Sequence, residues 1–291
     1  MGKKFVFMFA CVFLLAGCTS SVPSAPPASS TLQMTEDHSQ HGTEETVSVS
    51  DRLNASPRHQ EWVKIPNGEK MISAWVVYPE KSEKRPVVLV IHENMGLNDW
   101  ARSMADQIAE AGYIAVAPDL LSDFSATEKK TSDFANGDAA RTAISALDSK
   151  EVMADLRVVA DWALTIPASN GKLVSAGFCW GGAQSFQFAS ETDKLTAALV
   201  FYGTGPKDES VYAKIAVPVH GFYGGADERV NATIAGSEKA MKSAGKSFDY
   251  KIYDGAGHAF MRNGEDPAGD PANIAARNAA WERMKEILAT L

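Results

Sequence analysis

Cys179, Asp227 and His258 occur in that order along the chain, and each follows a segment with strand character. A thiol beside an imidazole can ionise and attack an acyl carbon. The imidazole can carry the proton, and a carboxylate can hold the imidazole in one tautomer. The cysteine stands in Gly177-Phe178-Cys179-Trp180-Gly181-Gly182, after the run Leu173-Val174-Ser175-Ala176 and before the helix-like stretch 183–189. This reads as a strand, a tight turn framed by glycines, and a helix, which pushes the turn residue out of the sheet toward a ligand. No Gly-x-Ser-x-Gly occurs in the chain, so cysteine takes the place where a hydrolase usually carries serine. Taken singly, each residue has a plainer reading. Asp227 could cap a helix beginning near Asn231, His258 could be a loop histidine, and Cys179 could be an inert buried thiol. Three such residues at three strand ends favour catalysis.

The segments that must position them are predicted strands over 71–78, 87–92, 114–118, 173–178, 197–202, 217–223 and 248–253. Several are continuous apolar runs, which suits strands covered on both faces. Helical patterns lie between them. Asp148-Ser149-Lys150-Glu151 reads as a capping box opening a helix, with Val152, Leu156, Val159 and Ala163 on one face and Pro167 beyond its end. Trp281, Met284, Leu288 and Leu291 mark a final amphipathic helix. Alternating strands and helices predict an α/β fold with a mostly parallel central sheet flanked by helices. The order nucleophile, acid, histidine is that of the α/β-hydrolase fold. In such a sheet the site forms at the C-terminal strand ends, which also carry His92-Glu93-Asn94. The oxyanion donors are then expected to be the backbone N–H groups of Asn94 and Trp180. No phosphate loop or dinucleotide fingerprint is present, since Gly255-Ala256-Gly257 lacks the third glycine. No cofactor and no metal are expected; Asp37, His38 and His41 read as solvated polarity of a linker.

The N-terminus carries an address. Lys3 and Lys4 precede an apolar stretch over 5–16, too short to span a bilayer but suited to a signal peptide. It ends in Leu15-Ala16-Gly17-Cys18, similar to a bacterial lipobox in which Cys18 is lipidated. Processing would remove Cys11 with the signal segment 1–17 and leave Cys179 as a lone thiol. From 18 to 57 the chain is rich in Ser, Pro and Thr and is expected to be a disordered tether, with the folded domain over 58–291. Thr19 after the cysteine fits retention at the outer membrane, facing the periplasm. The formal net charge is −8, and loss of Lys3 and Lys4 makes it more negative, which disfavours nucleic acid as a partner.

Cys179 with its glycine frame, Asp227, His258, and Glu93 after the strand over 87–92 together resemble the dienelactone hydrolase family, over nearly the whole folded part. The resemblance implies a single-domain α/β-hydrolase that opens carboxymethylenebutenolide lactones through a Cys-His-Asp triad. It implies that Glu93 governs the resting state of the thiol, and that two arginines bind a substrate carboxylate. Arg262, four residues past His258, matches one of these, and Arg141 is the candidate for the other by spacing. Trp180 is bulkier than the aliphatic residue usual after the cysteine, and His92 adds a titratable group. The expected substrate is a small lactone or carboxylic ester, with a carboxylated one favoured. The alternative is a catalytically idle, membrane-tethered protein that binds a small ligand on the same fold. A thiol redox protein would need a resolving cysteine from outside the chain.

Overall fold

The computed structural model describes residues 48–291 together with Gly2. The rest of the expected signal segment, Cys18 with its expected lipidation and the expected tether up to residue 47 lie outside the described residues. The segment from 48 to 57, expected to belong to the tether, opens with helix α1 (Val49–Ala55), capped by the Ser48 hydroxyl and burying Leu53. Arg52 on this helix lies 2.7 Å from Glu265, so the folded part begins earlier than its composition suggests.

The elements that follow are β1 (Gln60–Asn67), β2 (Lys70–Val77), β3 (Arg85–Ile91), α2 (Asp99–Glu110), β4 (Ile114–Pro118), α3 (Gly137–Ala146) and α4 (Ser149–Leu164). Then come β5 (Ser169–Phe178), α5 (Trp180–Phe188), β6 (Leu195–Phe201), β7 (Val219–Gly224), α6 (Glu228–Ser243), β8 (Phe248–Tyr253), α7 (Phe260–Asn263) and α8 (Pro271–Ala289). The strands form one sheet in the order β1-β2-β4-β3-β5-β6-β7-β8. β1–β2 and β2–β4 pair antiparallel, and the other neighbours are parallel.

β1 was absent from the predicted strands. It is an edge strand with a single fully buried position, Ile65, so it lacks a continuous apolar run. Its register to β2 comes from the two-residue loop Gly68-Glu69, in which Gly68 takes φ +62°. The central strand β3 shows the opposite signature, with every residue from Val87 to Ile91 fully buried. Val88 and Val90 pack toward α2 and α8, whereas Val87, Leu89 and Ile91 pack toward α4. Each such side chain contributes about 1.5–3 kcal/mol on burial. The predicted cap of α4 is present, with the Asp148 carboxylate accepting from the N–H groups of Lys150 and Glu151. The chain leaves β3 toward β4 on one side and returns to β5 on the other. The loops after β3 and β5 therefore diverge and open a crevice at the C-terminal edge.

Candidate active site

Cys179 sits between β5 and α5 with φ 57° and ψ −114°, a conformation that a residue with a Cβ adopts only at a cost of roughly 1–3 kcal/mol. The surroundings hold it there. Its N–H donates to Phe201 O at 3.0 Å, and its carbonyl accepts from Gly182 and Ala183 at 3.0 and 3.2 Å. The glycines on either side let strand and helix touch. A Cβ on Gly177 would lie 1.9 Å from Gly181 O, and one on Gly181 would lie 2.2 Å from Ile91 O. Tyr202 (φ 42°), after β6, and Ala259 (φ 61°), after His258, are also strained, so three of the four described non-glycine residues with positive φ surround this crevice.

The loop after β7 brings Asp227, and the loop after β8 brings His258. His258 Nδ1 donates to Asp227 Oδ2 at 2.5 Å, and His258 Nε2 lies 3.0 Å from Cys179 Sγ. With Nδ1–H committed to the carboxylate, Nε2 is left to accept the thiol proton. The other oxygen of Asp227 accepts from Val230 N at 3.3 Å and caps α6. Asp227 thus caps α6 through one oxygen and meets His258 through the other, and the helix begins at Glu228 rather than near Asn231. The backbone N–H groups of Asn94 and Trp180 both point at the sulfur and draw its pKa down. An anion developing beside the sulfur would meet the same two donors.

Glu93 is buried and receives Tyr202 Oη at 3.2 Å, and its Oε2 forms an ion pair with Arg262 Nε at 3.0 Å. That contact brings the charges together without the angle of a hydrogen bond, leaving Arg262 Nε without a hydrogen-bond acceptor. Burial pushes the Glu93 carboxyl up, and Arg262, Tyr202 and His258 pull it part of the way back. Burial likewise pushes the Cys179 thiol up, and the Glu93 charge adds to the effect. The thiol is thus held toward its protonated form by its surroundings, with His258 positioned to relieve it.

Arg262 lies on α7, two residues past Phe260, with its side chain 37 % exposed, so its guanidinium reaches both Glu93 and solvent. Arg141 is not brought to the crevice. It lies on α3, whose buried stripe of Ala140, Ala143 and Ile144 turns position 141 outward, and its guanidinium pairs with Asp138 at 2.6 Å. His92 has a structural part. Its buried ring receives Leu120 N–H on Nε2 at 3.2 Å, which leaves the proton on Nδ1 to donate to Glu93 O at 2.8 Å. Burial lowers its pKa, and it stacks on Trp180 with ring centroids 5.6 Å apart. Tyr202 is the site residue that sequence reasoning missed. It closes the predicted strand over 197–202, donates to Glu93, and packs edge-on against the His258 ring at 5.1 Å. Its place at a strand end was the available signal.

The sheet order and this crevice define an α/β-hydrolase with cysteine at the nucleophile elbow. A profile of the dienelactone hydrolase family matches residues 72–291, and the chain belongs to that family. A protein of Methylorubrum extorquens named "Putative carboxymethylenebutenolidase" is 32% identical over 210 residues, covering 68% of this chain and 71% of the relative. One of the same name from Saccharolobus solfataricus is 32% identical over 249 residues, covering 75% of this chain and 93% of the relative. A crystal structure of a "Putative Dienelactone Hydrolase" from Klebsiella pneumoniae superposes with a TM-score of 0.70 at 24% identity, over 80% of this chain and 99% of that one.

Proposed function

We propose that this hydrolase opens lactone or carboxylic ester bonds through Cys179, His258 and Asp227, by way of an acyl-enzyme, and that it favours carboxylated lactones of the carboxymethylenebutenolide type. The observation that carries the reading is the 3.0 Å approach of His258 Nε2 to a sulfur at which two backbone N–H groups also point. His258 takes the thiol proton as sulfur adds to the carbonyl carbon, and the oxyanion is held by the Asn94 and Trp180 N–H groups. Collapse breaks the acyl–oxygen bond, and the leaving alkoxide receives the proton from His258. Water then adds to the thioester with His258 as base, and the thiol leaves as the proton returns to it. A catalytically idle binding protein would have no use for a strained elbow aimed at an imidazole. The Leu15-Ala16-Gly17-Cys18 segment supports a bacterial envelope location for the enzyme, tethered through lipid on Cys18.

Purified protein assayed against acidic lactones and neutral aryl esters tests the reading. Arg262 is the expected source of acid selectivity, because a guanidinium binds a carboxylate in a fixed orientation. Arg262→Ala is expected to lower kcat/KM on carboxylated lactones about ten- to a hundred-fold relative to neutral esters. Equal losses on both classes would point to damaged packing around Glu93 instead.

Glu93 is proposed to tune the thiol. Removing its charge takes away one of the causes that raise the Cys179 pKa. The sign is therefore downward. In Glu93→Gln the inflection of iodoacetamide alkylation against pH should move to lower pH, with faster labelling at neutrality. A profile that coincides with wild type would leave Glu93 as a hydrogen-bonding group only.

A further inference from the structure

A cavity of about 600 Å³ lies beside the crevice, and none of Cys179, Asp227, His258, Glu93 or Arg262 lines it. Its volume is within the usual range for small-ligand sites. Trp62 of β1, Met95 and Leu97 after β3, and Phe134 before α3 supply its apolar walls. Trp62 stands at 45% exposure, and Phe134 pairs edge-on with the exposed Phe124 at 5.6 Å. Two aromatic side chains thus line a space next to solvent.

The polar lining is one-sided. Asp119 is largely engaged: Oδ1 accepts from Leu121 N and Thr131 Oγ1, and Oδ2 accepts from Thr131 N. Asp99 is paired with Arg102 at 2.6 Å. The side-chain carbonyls of Asn98 and Asn136 are spent on capping α2 and α3. Among the donors, Arg102 is engaged by Asp99 and Thr131 by Asp119, whereas three others are free. Lys130 has no ion pair or side-chain hydrogen bond among the described residues, and the amide NH₂ groups of Asn98 and Asn136 have no partner there. A ligand entering this space meets two unpartnered amide NH₂ groups and one unpaired ammonium.

The walls are also fixed in advance. Thr131 Oγ1 accepts from Leu97 N at 2.8 Å while bonding Asp119, and Gly96 turns at φ +74° with Thr131 packed against it. Little ordering is left for the moment of binding, which favours affinity. We propose that this cavity is a second small-molecule site, selective for a compact aromatic or alicyclic monoanion whose ring lies between Trp62 and Phe134 and whose charge meets Lys130. It stands apart from the hydrolytic reading, since it uses no residue of the triad.

Calorimetric titration of 1-naphthoate into the full chain tests this. One saturable site is expected, and the neutral 1-naphthalenemethanol should bind at least about tenfold more weakly, as loss of a charged hydrogen bond implies. Lys130→Glu, at an exposed position, should weaken naphthoate by at least about the same factor. Ser132→Trp, which fills the cavity from an exposed turn, should abolish binding, and Arg262→Ala should leave it unchanged. Absence of saturable binding to wild type, equal affinity in Lys130→Glu, or loss in Arg262→Ala would each overturn the assignment; the last would place naphthoate in the triad crevice. Lactone hydrolysis is measured separately, so either proposal can fail without the other.

Discussion

Cys179→Ala is expected to lower kcat/KM for lactone or ester hydrolysis by about three to six orders of magnitude, as removal of the nucleophile does in other triads. The thiol is the group that both His258 Nε2 and the N–H groups of Asn94 and Trp180 address. No second nucleophile occupies that point, because the neighbouring Tyr202 hydroxyl is turned to Glu93. Alanine carries the same Cβ and tolerates φ 57° no worse than cysteine, so the elbow should persist. The variant should therefore melt within a degree or two of wild type while being inactive. Cys179→Ser should retain a small fraction of the rate, since an alcohol ionises far less readily than a thiol. Full lactonase activity in Cys179→Ala would overturn the triad.

Gly181→Ala should disable the site through the backbone. An added Cβ would lie 2.2 Å from Ile91 O and 2.4 Å from His92 O, both main-chain atoms of the central strand and the oxyanion loop. Neither can rotate away, as a side chain could. Overpacking of this kind costs about 1–3 kcal/mol or more, which corresponds to a fall in Tm of roughly 3–10 °C in a domain of this size. To accommodate the methyl, α5 must move off β3, which separates the Trp180 N–H from the Asn94 N–H. Activity should fall at least about a hundredfold even below the new melting temperature, as loss of one oxyanion donor does. Wild-type kcat with only a lowered Tm would show that the two donors need not be held so closely.

Much of the nucleophile elbow was legible in the residues alone, because its constraints are local. A strand entering a tight turn and leaving as a helix requires glycine where the two backbones meet, and Gly177, Gly181 and Gly182 stand there. The α4 cap and the apolar run of β3 are local in the same sense, since their partners lie within a few residues or their burial is symmetric. β1 was missed because an edge strand needs only one buried position and takes its register from β2.

The sequence by itself determined the order Cys179, Asp227, His258, the strands that carry them, and the family to which the chain belongs. Only the tertiary structure decided which groups share the crevice. Glu93 meets Tyr202 across 109 positions of sequence, because β3 and β6 both flank β5, and it meets Arg262 of α7, which follows the edge strand β8. Arg141 has the right charge and an approximate spacing, yet the buried stripe of α3 turns it to Asp138. Asp227 divides its two oxygens between a helix cap and His258, which no spacing reveals. Spacing along a chain records where a residue can be placed, whereas strand order and the rotation of each helix about its axis set the direction in which its side chain points.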